Sequence, residues 1–124
     1  MYAMLGSQPD ISFAINKLSQ FGSNPDEEHI LAVIQVFWYL KGTQDLRLIY
    51  DGRKGTELFG FSDSDWASNP NTCRSTTGYI FQIKGGTITW ASTKQQTVAL
   101  SSIEAEYMAI TEATKHALWT FQIL

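Results

Sequence analysis

The 124-residue sequence holds one cysteine, Cys73, only three prolines and two histidines. A single thiol excludes an internal disulfide framework and a multi-cysteine zinc site. Cys73 reads as a spare residue of a polar loop. Basic residues are also scarce: nine Lys and Arg stand against twelve Asp and Glu, for a net charge of −3. That balance argues against a free-standing, sequence-independent nucleic-acid binder, whose phosphate affinity comes from clustered Lys and Arg. It leaves room for a metal-dependent nuclease, in which acidic ligands lower the net charge. Long apolar runs are missing too. The longest, Ile30 to Leu40, is broken by Gln35 and falls short of the about 20 residues that cross a bilayer. The opening Met1-Tyr2-Ala3-Met4-Leu5-Gly6 has no basic stretch and too few apolar residues for a signal peptide. The expectation is a soluble intracellular chain, cytoplasmic or nuclear, not secreted and without a membrane partner.

What the sequence does contain is enough apolar material for a core: 44% hydrophobic residues, 13% of the total aromatic. The length suits one domain. The first fifty residues read as helical. After Pro9, residues Ile11, Phe13, Ala14, Ile15, Leu18 and Phe21 recur at helical spacing over Asp10 to Phe21, and Gly22-Ser23 ends that run. A second helix is predicted with Asn24 as N-cap, Pro25 in the first position and Asp26, Glu27 and Glu28 at the positive end of the dipole. It runs through Ile30, Leu31, Val33, Ile34, Phe37 and Leu40, and Gly42 serves as C-cap. Its apolar face is broad, which predicts burial on more than one side.

From Asp45 the period changes from helical to two. Leu46, Leu48 and Tyr50 alternate with Arg47 and Ile49, and Asp51-Gly52 signals a turn. Leu58 to Ser62 is a strand candidate, followed by a loop from Ser64 to Asn71. Thr77 to Ile83 alternates well, Gly85-Gly86 is a hairpin turn, and Thr87 to Ala91 returns as a strand. Residues 92–100 read as a polar connector. The architecture expected is an antiparallel meander over 57–91 and a helix over 101–124 across one of its faces. Ser101 and Glu104 form a capping-box pattern at the start of that helix. Ile103, Tyr107, Ile110, Thr114, Ala117 and Phe121 lie along one side, and alanines 109, 113 and 117 thin the neighbouring face for a close approach to the sheet. The sequence stops at Leu124 still in helical pattern, as though cut inside a larger domain.

Two acids stand out. Asp63 ends a strand on the same face as Phe59 and Phe61, where it is either a turn-capping residue or a site residue. Glu106 heads the row Glu106, Ala109 or Ile110, Ala113, Ala117, and an acid on a packing face is costly unless paired or bound to a metal. If the helix packs over the meander, the two converge and form a hard oxygen site for Mg²⁺. Two such ions about 3.5–4 Å apart activate a water and stabilise a leaving oxygen in phosphodiester cleavage. Asp65 reads as a loop residue in an Asx turn, and Glu104 and Glu112 as solvated. His29 and His116 read as surface or core-edge residues. Gly78 is a strand glycine with no phosphate loop around it, and Ser101 and Ser102 are explained by capping.

Several segments then resemble one family. Phe61-Ser62-Asp63-Ser64-Asp65-Trp66-Ala67, Arg74 to Phe81, Ile88 to Gln95, and Ala99-Leu100-Ser101-Ser102-Ile103-Glu104-Ala105-Glu106-Tyr107-Met108-Ala109 together resemble the ribonuclease H region of copia-type retrotransposon Pol polyproteins. Pro9-Asp10-Ile11, Ser23-Asn24-Pro25, His29 and Tyr39-Leu40-Lys41-Gly42-Thr43 resemble the segment that joins reverse transcriptase to it. The resemblance divides the chain into a helical connector, 1–50, and the N-terminal half of a ribonuclease H-like domain, 51–124. It implies an α/β fold: a partial ribonuclease H-like fold, with an antiparallel three-stranded meander plus helix preceded by a helical segment. It implies Mg²⁺-dependent hydrolysis of RNA in an RNA–DNA hybrid, with Asp63 matching the first acidic metal ligand and Glu106 the second.

The family carries a third carboxylate on a further strand and a fourth acid later, both of which fall past Leu124. Where the family is basic, this chain has Ile34-Gln35-Val36-Phe37-Trp38 and Thr120-Phe121-Gln122, which weakens a phosphate-binding surface. Phe37 and Trp38 read as extra core or as an exposed patch needing a partner. The expectations are therefore weak, millimolar-order binding of Mg²⁺ or Mn²⁺ at Asp63 and Glu106, poor grip on an RNA–DNA hybrid and no cleavage by the chain alone. Self-association through the incomplete sheet and exposed apolar helix surface is expected as well. The alternative is a domesticated, non-catalytic binding or assembly module.

Overall fold

The computed structural model describes residues 2–69 and 71–124. The chain forms two compact units, Met1–Leu48 and Ile49–Leu124.

The first unit is helical. α1 spans Tyr2–Gly6, a 3₁₀ turn Pro9–Ile11 leads into α2, Ser12–Ser19, and α3 spans Glu27–Gly42. The proline sets a tight first turn, so the helix expected over Asp10 to Phe21 is instead split into a 3₁₀ entry and a shorter α-helix. Met4, Ile11 and Ser12 are its buried residues. α3 starts later than the sequence suggests. Its N-cap is Asp26, not Asn24, and the Asp26 backbone N–H donates to His29 Nδ1 at 3.1 Å. His29 also stacks on Phe21, centroids 4.0 Å apart, which closes the turn between α2 and α3. Tyr39 of α3 donates to Asp10 Oδ2 at 2.6 Å. That bond to an acceptor carboxylate, then partial desolvation, raises the Tyr39 pKa. The broad apolar face of α3 is not buried: no residue of the helix is buried, and Phe37 and Trp38 are 65% and 71% exposed. Within its unit, α3 packs against α2 and reaches the 3₁₀ turn through Tyr39.

The second unit opens without regular structure. Residues 46–50, the last three of the first unit and the first two of the second, alternate as a strand would but pair with no strand among the described residues. Tyr50 instead donates its hydroxyl to the Thr87 carbonyl at 2.6 Å. The Asp51-Gly52 turn forms, closed by Lys54 N–H to the Asp51 carbonyl at 3.1 Å. β1 (Leu58–Asp65), β2 (Thr76–Ile83) and β3 (Gly86–Lys94) then make an antiparallel sheet in the order β1-β2-β3. β1 carries Asp65 within the strand, where the sequence suggests a loop, and β3 runs three residues past Ala91 into the expected connector. The hairpin turn is Lys84-Gly85, not Gly85-Gly86: both residues have positive φ, 52° and 77°, as a two-residue turn matching the strand twist requires.

α4 (Ser102–Ile123) packs on β1 and β2. Ser101 Oγ accepts from Glu104 N–H at 3.2 Å, while the Glu104 carboxylate accepts from Leu100 N–H at 2.7 Å rather than from Ser101. The buried row of the helix is small: Ala105, Ala109, Ala113 and Thr120. Ile103, Tyr107, Ile110 and Phe121 are exposed. The core gathers Tyr79, Phe81 and Ala113, with Leu58, Ile88, Ala91 and Ala117 at its margin. Gly60 is required there, because a Cβ on it would run into the Phe81 ring.

Candidate functional site

Residues directly opposite in an antiparallel pair share a sheet face, and successive residues alternate. Tyr79 and Phe81 face α4 in the core. Their β1 partners, Ser62 and Gly60, therefore lie on that side, and so does Ser64, opposite Thr77. Asp63 pairs with Gly78 and points to the other face, in line with Phe59, Phe61 and Asp65. Phe59 and Phe61 are not the buried aromatics expected beside Asp63. They are 55% and 61% exposed, because α4 covers only the opposite face of the sheet.

Asp63 is exposed, and Glu106 on α4 is half-buried between the fully buried Ala105 and the rest of its turn. Neither carboxylate has a hydrogen-bond or ion-pair partner among the described residues. Beside Asp63 the surface is open, since a Cβ on Gly78 would meet no atom within 4 Å. β1 is an edge strand. With α4 on one face and Asp63 on the other, an ion could be shared by both acids only around the free edge of β1. Among the described residues no three His, Cys, Asp or Glu side chains are grouped to hold a metal ion. Both carboxylates are hard oxygen donors, the ligand type that Mg²⁺ takes.

Two ties join the sheet to α4 and to the loop before it. The Trp66 indole donates to the Ala99 carbonyl at 3.2 Å, joining the end of β1 to the loop before α4. The Gln95 amide nitrogen donates to Thr77 Oγ1 at 2.9 Å and to the Ala105 carbonyl at 3.0 Å. A tryptophan in a polar loop is a signal that it seeks cover; a glutamine in a polar stretch carries none. The loop after β1 is itself tightly made. Ala67 N–H donates to Ser75 Oγ at 3.1 Å, and Asn69 Oδ1 accepts from Asn71 and Thr72. Cys73 is exposed on this loop with φ 51°.

On α4, Glu112 pairs with Lys115 at 3.2 Å and lies 3.9 Å from His116. Glu112 is thus half-buried and engaged, not simply solvated. His116 is half-buried, and its ring lies tilted against that of Tyr79. Burial, and then the Glu112 charge, raise the Tyr79 pKa.

Among known proteins, the chain is 42% identical over 124 residues, its full length, to the retrovirus-related Pol polyprotein from transposon TNT 1-94 of Nicotiana tabacum. It is 37% identical over 118 residues, 95% of the chain, to that from transposon RE1 of Arabidopsis thaliana. The chain belongs to the Pol polyprotein family of copia-type retrotransposons. It spans 9% and 8% of the length of those two polyproteins. The Pol-family chain is also 46% identical over 119 residues to the secreted RxLR effector protein 161 of Plasmopara viticola, covering 96% of this chain and 84% of that protein. No protein-family profile matches the chain. No solved structure matches it. Among the described residues, no helix is long and apolar enough to cross a membrane.

Proposed function

We propose that the second unit of this Pol-family chain is the opening portion of a ribonuclease H-like domain, preceded by a helical connector over 1–50. In the parent polyprotein it serves Mg²⁺-dependent hydrolysis of RNA in RNA–DNA hybrids. The observation that carries this reading is the order of elements: an antiparallel meander with an acid on its first strand, then a helix with an acid in its second turn, Asp63 and Glu106. Among the described residues both carboxylates lack protein partners, which leaves their oxygens free to hold Mg²⁺ or Mn²⁺, with water completing the shell. The bound ion supplies Lewis acidity and a more acidic water at the phosphodiester. The chain's own part is to hold the two carboxylates on separate elements and to leave the sheet surface beside Asp63 open to a backbone.

The chain alone binds the metal weakly and does not cleave. A two-metal reaction needs enough carboxylates to fix both ions and orient the water, and nine scattered basic residues give little phosphate grip. The free edge of β1 and the exposed apolar side of α4 favour self-association. The test is incubation of the purified chain with a labelled RNA–DNA hybrid and Mg²⁺ or Mn²⁺, alongside metal titration. Millimolar-order binding that weakens in Asp63→Asn and Glu106→Gln, without turnover, is the expected result. Turnover abolished by either substitution overturns the inactive reading; absence of any metal binding overturns the site.

A second reading is favoured by one observation. The Plasmopara viticola relative, a secreted effector by name, is mostly covered by the stretch aligned here. On that reading the chain is a non-catalytic binding or assembly module, and Asp63→Asn leaves its partner binding unchanged.

A further inference from the structure

Gln95 is 7% exposed and lies outside the two acids of the proposed site. Its backbone N–H donates to the Ser75 carbonyl at 2.8 Å, which holds the residue against the start of β2. Its side-chain nitrogen uses both protons. One goes to Thr77 Oγ1 at 2.9 Å and the other to the Ala105 carbonyl at 3.0 Å. Thr77 precedes Gly78, the register partner of Asp63, and Ala105 precedes Glu106. One buried side chain thus joins β2, at the residue before Asp63's register partner, to α4, at the residue before Glu106. Among uncharged side chains, only a primary amide offers two donors from a single atom. Among the described residues Gln95 Oε1 has no hydrogen-bond partner, and Ser64 Oγ, opposite Thr77, has none either. Burying an acceptor without a partner is costly, so the donor pair is what holds the amide in place.

We propose that Gln95 is the positioning residue of the Asp63–Glu106 site: its amide sets the rotation and height of the first turns of α4 on β2, and so places the Glu106 carboxylate relative to β1. The inference rests on the metal site proposed above. Supporting side chains that orient ligands without touching the ion affect metal affinity by about 10- to 100-fold when altered. The adjoining Ser101 cap fixes where the helix begins, but it does not tie the helix to the sheet.

The experiment is a Mn²⁺ titration of the ¹⁵N-labelled full chain, following paramagnetic broadening of the backbone amides of residues 63 and 106, with helix content read by circular dichroism. Wild type is expected to broaden at both positions. Gln95→Met, of similar reach but without donors, is expected to keep its helix content and the broadening at 63, to lose that at 106, and to bind Mn²⁺ about 10-fold more weakly. Thr77→Val, which removes one acceptor and keeps the shape, is expected to show the same pattern more weakly. Equal broadening at both positions in a folded Gln95→Met, or loss at both, overturns the positioning role while leaving the metal site standing. Unfolding of both variants makes Gln95 an architectural residue and overturns it as well. No broadening in wild type overturns the metal site, and this inference with it.

Discussion

Tyr79 of β2 and His116 of α4 lie ring against ring, centroids 4.7 Å apart and 30° from parallel. The contact seats the middle of the helix on the middle strand. Glu112, one turn before His116, brings a negative charge to the same place.

That relationship predicts an alkaline weakness. Burial first, and the Glu112 charge second, keep the Tyr79 phenol protonated in the folded chain above its ordinary pKa of 10.0. A raised folded-state pKa means that the folded form holds the proton more tightly than the unfolded form. Its stability contribution is complete below the unfolded pKa and is lost as the pH rises through the folded one. Urea unfolding across the range from about pH 8 to about pH 11 should show stability falling at the upper end, and Tyr79→Phe should flatten that fall.

Gly60→Ala should destabilise the second unit by about 1–3 kcal/mol, because the new methyl would displace the Phe81 ring from the core. Thermal unfolding of the variant measures it. Pairing the change with Phe81→Leu should recover part of the loss, and unchanged stability of Gly60→Ala would disprove the contact.

Ala109 is fully buried where α4 meets the sheet. Ala109→Leu should cost about 1–3 kcal/mol by overpacking. Leu118→Ala, on the exposed side of the same helix, should change stability by less than about 0.5 kcal/mol. Denaturant midpoints of the two variants compare the faces directly.

Self-association through the β1 edge makes its own prediction. Phe61 is exposed on that edge strand, and a lysine there blunts edge pairing. Sedimentation velocity over a concentration series should show Phe61→Lys shifted towards monomer relative to wild type. An unchanged distribution would place the association elsewhere.

Much of the fold was legible along the chain. The two-residue alternation of β2 and the Ser101 cap of α4 are local signals, and local backbone and capping energies decide them. The alanines of α4 also marked its packing side, since only small side chains let a helix approach a sheet closely. Legibility failed where tertiary contacts overrode pattern. Residues 46–50 alternate like a strand yet find no partner, and Asp65 and residues 92–94 become strand because β2 is there to pair with them.

The candidate site divides in the same way. Asp63 and Glu106 are visible in the sequence as acids in positions where acids need a reason, and their chemical type follows from that alone. Their placement does not. The pairing register with Gly78 sends Asp63 to the face away from α4, the edge position of β1 leaves a way around it, and Gln95 and Trp66 tie strand to helix across 10 to 33 residues of chain. Side-chain period, caps and turns depend on neighbours in sequence, so the sequence by itself determined most of the elements and marked Asp63 and Glu106 as candidates. Register, sheet edge and the buried amide depend on groups distant in sequence, and only the tertiary structure decided them.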